Sequence, residues 1–200
     1  MINFPNKKYD IIYADPAWSY GGKLPQRAKE QHYPVMELDD ICALPVNDIA
    51  SDNCALFIWV TFPLLQESFE VIKSWGFDYK TCAFAWVKTN KQYSTKQMSF
   101  LPYDSFSSFW GMGMWTRSNV ELCFLATKGK PQRESKGVHQ LLYEPISFHS
   151  KKPDKVRDKI VKLCGDRSRI ELFARHSFNG WDCWGNEVES TPLTQCSKSQ

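Results

Sequence analysis

The sequence predicts an α/β fold in which one sheet is covered by helices on both faces. Strand-like runs such as Tyr9–Ala14 and Ala55–Val60 are almost entirely apolar, which is typical of strands that are buried on both faces. These runs alternate along the chain with segments whose apolar residues have helical spacing. In folds of this class ligands bind beyond the carboxyl ends of the strands, so we expect the functional residues there.

The other elements are predicted from apolar spacing and from their bounding Pro and Gly residues. They are irregular or short helical structure at Val35–Ala50, a helix at Pro63–Trp75 closed by Gly76, strands at Thr81–Val87 and Val120–Thr127, a helix at Pro153–Cys164 and a strand at Arg169–Ala174. Neither a repeat nor a linker divides the chain. We therefore predict a single domain over residues 1–187 and a polar tail over residues 188–200.

Composition restricts the class of protein. A chain of 200 residues, 42% of them hydrophobic, is long enough for one domain with a substantial core. The net charge of +3 permits a polyanionic partner without requiring one. The seven cysteines form no C-x-x-C pair and no zinc-binding pattern with histidine, so we predict no metal site and a reducing compartment. No signal peptide or membrane-spanning run is present, and we expect a soluble, cytoplasmic protein.

Residues 88–118 form a segment of a different kind, rich in serine, glycine and aromatic residues. Long loops in compact domains are usually functional, and we interpret this one as a substrate loop beside the active site. Cations for phosphates and flat rings for bases are the usual means of binding single-stranded nucleic acid. The candidate contacts are Lys88, Trp115 and Arg117, although the aromatic side chains of the loop could equally pack on one another.

The most informative short stretch is Asp15-Pro16-Ala17-Trp18, directly after the first predicted strand. A carboxylate at a strand's carboxyl end points into the ligand crevice, and the carbonyls that follow can accept hydrogen bonds. With a tryptophan that looks exposed, the group suits an amine attached to a flat heterocycle. The tetrapeptide alone is more typical of an ordinary Asp-Pro turn with a buried tryptophan.

The tetrapeptide resembles the Asp-Pro-Pro-(Tyr/Phe/Trp) signature of amino-methyltransferases. Further segments resemble one branch of these enzymes, the MT-A family, which includes the catalytic subunit of the mRNA N6-adenosine methyltransferase. The eight matching segments run in family order from Tyr9 to Glu187: YADPAW, HYPVMELDDICALPV, LFIWVT, WGFDYKTCAFAWVKTNK, GMGMWTRSNVELCFLATKGKP, HSKKPDKVRDKI, IELFAR and NGWDCWGNE. One such segment is weak support for the family, whereas eight in order are specific.

The resemblance implies a Rossmann-like methyltransferase sheet in permuted order, with the catalytic motif before the cofactor-binding strand. It implies methyl transfer from S-adenosylmethionine to the exocyclic N6 amine of adenine in nucleic acid. The implied catalytic residues are Asp15, Pro16, Ala17 and Trp18; those near the cofactor are Asp15, Lys152, Glu171, Arg175, Asn186 and Glu187; and those lining the substrate pocket are Tyr20, His32 and Tyr33. Glu171 is the candidate for the cofactor's ribose hydroxyls.

The implied mechanism follows from the amine, whose lone pair is delocalised into the adenine ring. Hydrogen bonds from its two N–H groups to the Asp15 carboxylate and to a carbonyl of Pro16 or Ala17 favour a pyramidal nitrogen that can attack the methyl group. Trp18 or Tyr20 would stack on the base. Ala17 replaces the second proline of the family, so the turn is expected to be less rigid, with a small effect on rate.

A second departure from the family lies at the N-terminus. Members of known function carry a cofactor-contacting stretch well upstream of the catalytic strand, but only Met1–Lys8 precede Tyr9. We expect the contacts of that stretch to come from Asn3-Phe4-Pro5 or to be missing.

Three alternatives bear on function. DNA is favoured over RNA as the substrate because the chain is compact and lacks an appended zinc finger or RNA-binding module. The second hypothesis is that the protein is a non-catalytic, nucleic-acid-binding partner subunit. The retention of Asp15 disfavours this hypothesis. A nucleotide-binding oxidoreductase is disfavoured because no Gly-x-Gly-x-x-Gly follows the first strand. The sequence leaves the oligomeric state and the need for a partner open.

Overall fold

The computed structural model describes residues 4–20, 35–90, 111, 115–147 and 151–188. The strands of the described part are β1 (Tyr9–Ala14), β2 (Ala50–Val60), β3 (Asp78–Thr89), β4 (Val120–Lys128), β5 (Leu141–Pro145), β6 (Arg169–Leu172) and β7 (Asp182–Trp184). The helices are α1 (Leu38–Cys42), α2 (Val46–Ile49), α3 (Leu65–Ser74) and α4 (Lys155–Cys164), with a 3₁₀ turn at Phe62–Leu64. The predicted contacts His32 and Tyr33, most of the predicted substrate loop and nearly all of the tail lie outside the described residues.

The seven strands form one mixed sheet in the order β5-β3-β4-β2-β1-β6-β7. β1 pairs in parallel with β2 and β6, and β6 pairs in parallel with β7. β4 is antiparallel to both of its neighbours, β2 and β3. Because it runs the other way, β4 begins at the edge where its neighbours end, and the start of β4 therefore lies at the ligand-binding edge.

Helices cover both faces of the sheet, as predicted. On one face Ile41 of α1 and Ile72 of α3 are buried against β1 and β2, and the indole of Trp75 donates a hydrogen bond to the Ile41 carbonyl at 2.8 Å. On the other face Val156 and Ile160 of α4 are buried. Full burial of side chains of this size contributes about 1.5–3 kcal/mol each, so these contacts fix each helix on the sheet. No helix in the described part of the chain is long and apolar enough to cross a membrane.

The predicted elements are present, with shifted ends. β2 begins at Ala50 and not at Ala55, and β3 is longer than predicted at both ends. The predicted strand at Arg169–Ala174 ends at Leu172, because Phe173 adopts a left-handed backbone with φ of 62°. The helix predicted from Pro153 begins at Lys155.

Two strands, β5 and β7, were not predicted from the sequence. Both are short and lie at the edges of the sheet. In β5, Leu141 and Tyr143 are exposed while Leu142 is buried, and β7 has no fully buried residue. Neither strand therefore carries the continuous apolar run that identified the central strands.

Gly129 offers a test of the turn that follows β4. Its φ is +64°, and a Cβ there would lie 2.1 Å from the backbone oxygen of Asp52. The left-handed backbone alone costs a residue other than glycine about 1–2 kcal/mol. Because the close contact adds to this cost, we expect Gly129→Ala to lower the free energy of unfolding by more than that amount. The measurement is chemical denaturation followed by circular dichroism.

Gly137→Ala is the matched control, because a Cβ at Gly137 meets only the Ser135 hydroxyl at 4.0 Å. We expect this variant to stay within about 0.5 kcal/mol of the wild type. Equal losses in the two variants would contradict the interpretation of the turn.

Candidate active site

Asp15 directly follows β1, whose pairing with β2 and β6 places it at the carboxyl edge of the sheet. The Lys152 ammonium donates to both of its carboxylate oxygens at 2.8 Å. Lys152 belongs to the segment that leads into α4, so an ion pair joins residues that are 137 positions apart in the chain. The Asp15 side chain is 28% exposed and the Lys152 side chain 11% exposed, which makes this a largely buried pair.

Glu121, which the sequence analysis did not identify, completes the group. Its Oε2 lies 3.4 Å from the Lys152 ammonium, and its Oε1 accepts a hydrogen bond from Lys88 at 2.5 Å. Glu121 is the second residue of β4 and reaches this edge only because β4 is antiparallel to its neighbours. We call the series Lys88–Glu121–Lys152–Asp15 the charge chain.

The protonation states of the charge chain follow from burial and from its alternating signs. Burial raises the pKa of Asp15, although Lys152 opposes the shift. Burial would lower the pKa of Lys152, but Asp15 and Glu121 outweigh it and the pKa is raised. Burial likewise acts to raise the pKa of Glu121, but Lys152 and Lys88 outweigh it and the pKa is lowered. Lys152 is thus the cation that keeps the buried Asp15 carboxylate ionised.

Hydrogen bonds hold the turn after Asp15. The Pro16 carbonyl accepts the Trp18 amide at 2.9 Å, and the Ala17 carbonyl accepts the Met36 amide at 2.8 Å. Each carbonyl keeps a second lone pair for another donor. Trp18 is only 6% exposed and donates its indole N–H to the Trp59 carbonyl at 3.2 Å, so the interpretation of an exposed tryptophan was wrong.

A cavity of about 470 Å³ opens beside Asp15. This volume lies within the range of about 300–1,000 Å³ that is usual for small-molecule sites. The predicted residues that line it are Asp15, Pro16, Ala17, Trp18, Tyr20, Lys152, Arg175, Asn186 and Glu187; Glu121, Phe173 and Trp184 line it as well. The structure therefore brings most of the predicted catalytic and cofactor residues to one cavity.

Glu171 is held in a different way from the other predicted residues. Its two carboxylate oxygens accept hydrogen bonds from Arg157 of α4 at 2.6 and 2.7 Å, and both side chains are buried. The Arg157 guanidinium also lies 3.4 Å from the centre of the Phe178 ring. Glu171 lines a smaller cavity of about 170 Å³, which shares Asp15 with the larger one. Its role toward a ribose stays a prediction.

The three substrate residues predicted in the loop have different surroundings. Lys88 is turned toward Glu121 and its side chain is 19% exposed, so its charge is already compensated within the protein. Trp115 is 99% exposed, and Arg117 is exposed as well. None of the three lines the larger cavity, and their contact with substrate stays a prediction.

Comparison with known proteins agrees with this geometry. The family model MT-A70 matches residues 9–187. The chain belongs to the MT-A70 family. Its sequence is 37% identical to the type II methyltransferase M.MunI of Mycoplasma sp over 94% of this chain and 82% of that protein. It is 27% identical to the N(6)-adenosine-methyltransferase subunit METTL3 of Danio rerio and 26% identical to the human METTL3 catalytic subunit, in each case over 93% of this chain.

The chain spans only 29% of the length of each of these two METTL3 proteins. Its match to the MT-A70 family confirms the predicted family, the Rossmann-like α/β fold and the prediction of an adenine-N6 methyltransferase. Among the described residues, no group of three or more His, Cys, Asp or Glu side chains could hold a metal ion.

Replacing Lys152 tests the electrostatic account of this MT-A70 site. In Lys152→Met the Asp15 carboxyl stays buried without its cation, so its pKa, already raised, rises further. Because the protonated form is a poorer acceptor for an amine N–H group, we expect methyl transfer at neutral pH to fall by about 100-fold or more. The acidic limb of the pH–rate profile should move to higher pH.

Lys155→Met is the control for this change, since it removes a lysine whose side chain is 66% exposed and paired with Glu144. Its pH–rate profile should match that of the wild type. An acidic limb that stays in place in Lys152→Met would show that Lys152 does not set the charge of Asp15.

Ala17→Pro tests the departure from the family signature. The Trp18-to-Pro16 hydrogen bond makes Ala17 the centre of a γ-turn, and its φ is negative. An inverse γ-turn has φ near −75°, which proline can adopt. In the described part of the chain the Ala17 amide donates no hydrogen bond that proline would remove.

We therefore expect Ala17→Pro to stabilise the protein by about 0.4–1 kcal/mol and to retain activity. Thermal denaturation and the methyl-transfer rate measure the two effects. A destabilised or inactive variant would show that the turn depends on the freedom of Ala17.

Proposed function

We propose that this protein transfers a methyl group from S-adenosylmethionine to the N6 amine of adenine in DNA. The observation that carries the proposal is the Asp15 carboxylate, which Lys152 holds at the carboxyl edge of the sheet beside the larger cavity. A fixed, ionised carboxylate there is an acceptor for an amine N–H group. The family to which the chain belongs supports the same reaction.

The acceptors around the turn account for activation of the amine. Lys152 occupies one direction at each Asp15 oxygen, which leaves further lone pairs free toward the cavity. The Pro16 carbonyl also keeps one lone pair beyond its bond to Trp18. Hydrogen bonds from the two N–H groups of an adenine amine to these acceptors would favour a pyramidal nitrogen, whose lone pair is withdrawn from the ring and can attack the methyl group. Positioning of this kind supplies much of the rate enhancement in group transfer.

The residues of the cavity fit the proposed cofactor. When bound, S-adenosylmethionine supplies an electrophilic methyl group on a sulfonium sulfur. Its carboxylate matches the cations Lys152 and Arg175, and its ribose and adenine match the polar Asn186 and Glu187. Phe173 and Trp184, whose ring centres are 5.7 Å apart, provide an apolar wall for a flat base.

The substrate base would enter from the side of Asp15 and Tyr20. Trp18 is mostly buried and its N–H group is engaged, so we assign base stacking to the more accessible Tyr20. An adenine in a duplex must be flipped out of the stack before its amine can reach Asp15. Single-stranded or distorted DNA should therefore be methylated more readily than a regular duplex.

DNA is the proposed substrate because the relative with 37% identity is named a type II methyltransferase, a DNA-modifying class, and the match covers 82% of it. The METTL3 relatives support RNA as the second candidate, since two of them are named N(6)-adenosine-methyltransferase subunits. The match to those proteins is weaker and covers less than a third of them. Retention of Asp15 beside the larger cavity disfavours a purely binding subunit.

The test is methyl transfer from labelled S-adenosylmethionine to single-stranded DNA, duplex DNA and RNA of matched sequence. We expect N6-methyladenine in DNA, with the single strand preferred. Asp15→Asn keeps the shape of the side chain but removes the charge, and it should fall below about 1% of wild-type activity. Digestion to nucleosides followed by mass spectrometry identifies the product.

Asp158→Asn is the matched control, because Asp158 is an exposed residue of α4 that does not line the larger cavity. It should retain full activity. Methylation of RNA alone would shift the proposal to the second substrate, and methylation of cytosine would contradict the assignment of the base. Nucleic-acid binding without any methyl transfer would favour a partner subunit.

A further inference from the structure

Side-chain contacts hold the segment that precedes β1 against β7, the last strand of the sheet. The Phe4 and Trp184 rings have centres 4.5 Å apart and are tilted by 42°. The Lys7 ammonium and the Tyr9 hydroxyl each donate a hydrogen bond to the Asp182 carboxylate at 2.8 Å. The Phe4 ring therefore packs on β7 at Trp184, and hydrogen bonds hold the other end of the strand at Asp182.

β7 forms part of the wall of the larger cavity, but within the described sheet it pairs with β6 alone. The strand has three residues and lies at the edge of the described sheet, next to β6. Trp184 and the residues that follow it, Gly185, Asn186 and Glu187, all line the cavity. So short an edge strand needs support beyond its ladder to stay in one place.

Phe4 packs against this wall of the larger cavity from outside the cavity. It is half-buried and packs on Trp184, but it does not line the cavity itself. Trp184 also contacts Phe173, which does line the cavity, with ring centres 5.7 Å apart. The three rings form a series of tilted and edge-on aromatic contacts that runs from the N-terminal segment to the site.

We propose that Phe4 is a positioning residue for cofactor binding. By packing on Trp184 it fixes the part of the wall that runs from Trp184 to Glu187. This inference rests on the proposed function, because it assigns that wall to S-adenosylmethionine. The contribution of Phe4 is thus indirect, because it passes through Trp184.

A positioning role predicts a particular pattern of kinetic change. Phe4 packs on Trp184 and does not line the cavity that Asp15 lines, so loss of its ring should leave the chemical step intact once the cofactor is bound. The loss should instead weaken cofactor binding, by about 3- to 10-fold for a single aromatic contact. A merely structural role would lower stability without a selective change in cofactor affinity.

The experiment compares the full-length wild type with Phe4→Ala, Phe4→Leu and Phe4→Tyr. Isothermal titration calorimetry with S-adenosylmethionine and with S-adenosylhomocysteine gives the dissociation constants, and methyl-transfer kinetics give kcat and the KM for the cofactor. We expect a 3- to 10-fold rise in Kd and KM for Phe4→Ala, with kcat within about twofold of the wild type. Phe4→Tyr should restore wild-type binding because it keeps the ring.

Phe4→Leu keeps apolar volume without the ring. It therefore replaces Phe4→Ala in the comparison if circular dichroism shows that Phe4→Ala is unfolded. Phe69→Ala is the matched control: Phe69 is a half-exposed ring of α3 that packs on Tyr79 and Phe124 and does not line the cavity. It should leave the Kd unchanged.

Two outcomes would overturn the inference. In the first, the wild-type protein binds the cofactor and folded Phe4→Ala, or Phe4→Leu in its place, binds it with the same Kd. This result would overturn the inference and leave the proposed function standing. Failure of the wild-type protein to bind either compound would overturn the inference and the proposed function together.

Discussion

The ion pair between Lys152 and Asp15 is the interaction on which the rest of the site depends. A carboxylate buried at the edge of a sheet tends to take up a proton, and a protonated Asp15 would be a poorer acceptor for an amine. Lys152 counters this tendency, and it is itself a buried cation that needs more than one partner. Glu121 supplies the second negative charge, and Lys88 in turn compensates Glu121. Removal of any one member would leave a partly buried charge unmatched, which is costly in a low-dielectric interior.

The direction of one strand makes this arrangement possible. In an all-parallel sheet Glu121, near the start of β4, would lie at the edge opposite Asp15. Because β4 is antiparallel to β2 and β3, its first residues lie beside the carboxyl ends of its neighbours. The sheet can thus present side chains from the end of β1, the start of β4 and the approach to α4 to one cavity. The mixed topology therefore places Glu121 at the same cavity as Asp15 and Lys152.

The central elements and Asp15 could be predicted from the sequence because their signals are local. Continuous apolar runs mark β1 and β2, and an Asp-Pro after β1 falls at the edge where ligands bind. Glu121 carries no such signal, since one glutamate near a strand end gives no information about the strand's direction. Lys152 was assigned to the cofactor by resemblance, but its pairing with Asp15 is a tertiary contact that local sequence does not encode. Trp18 was misjudged because burial depends on Trp59, a residue of another strand.

The two sides of the larger cavity are stabilised by different forces, and this difference explains how the chain departs from its family signature. Hydrogen bonds fix the turn after Asp15 at the carbonyls of Pro16 and Ala17, so its shape does not require the second proline. Packing fixes the proposed cofactor side: Gly185 lets its chain approach the Ala174 oxygen so closely that a Cβ would lie 2.2 Å away, and Trp184 packs on Phe4. Directional bonds suit the side where an amine must be aimed within a fraction of an ångström. Apolar packing suits the side that must receive and release a flat ligand, because it fixes the wall without competing for the ligand's polar groups.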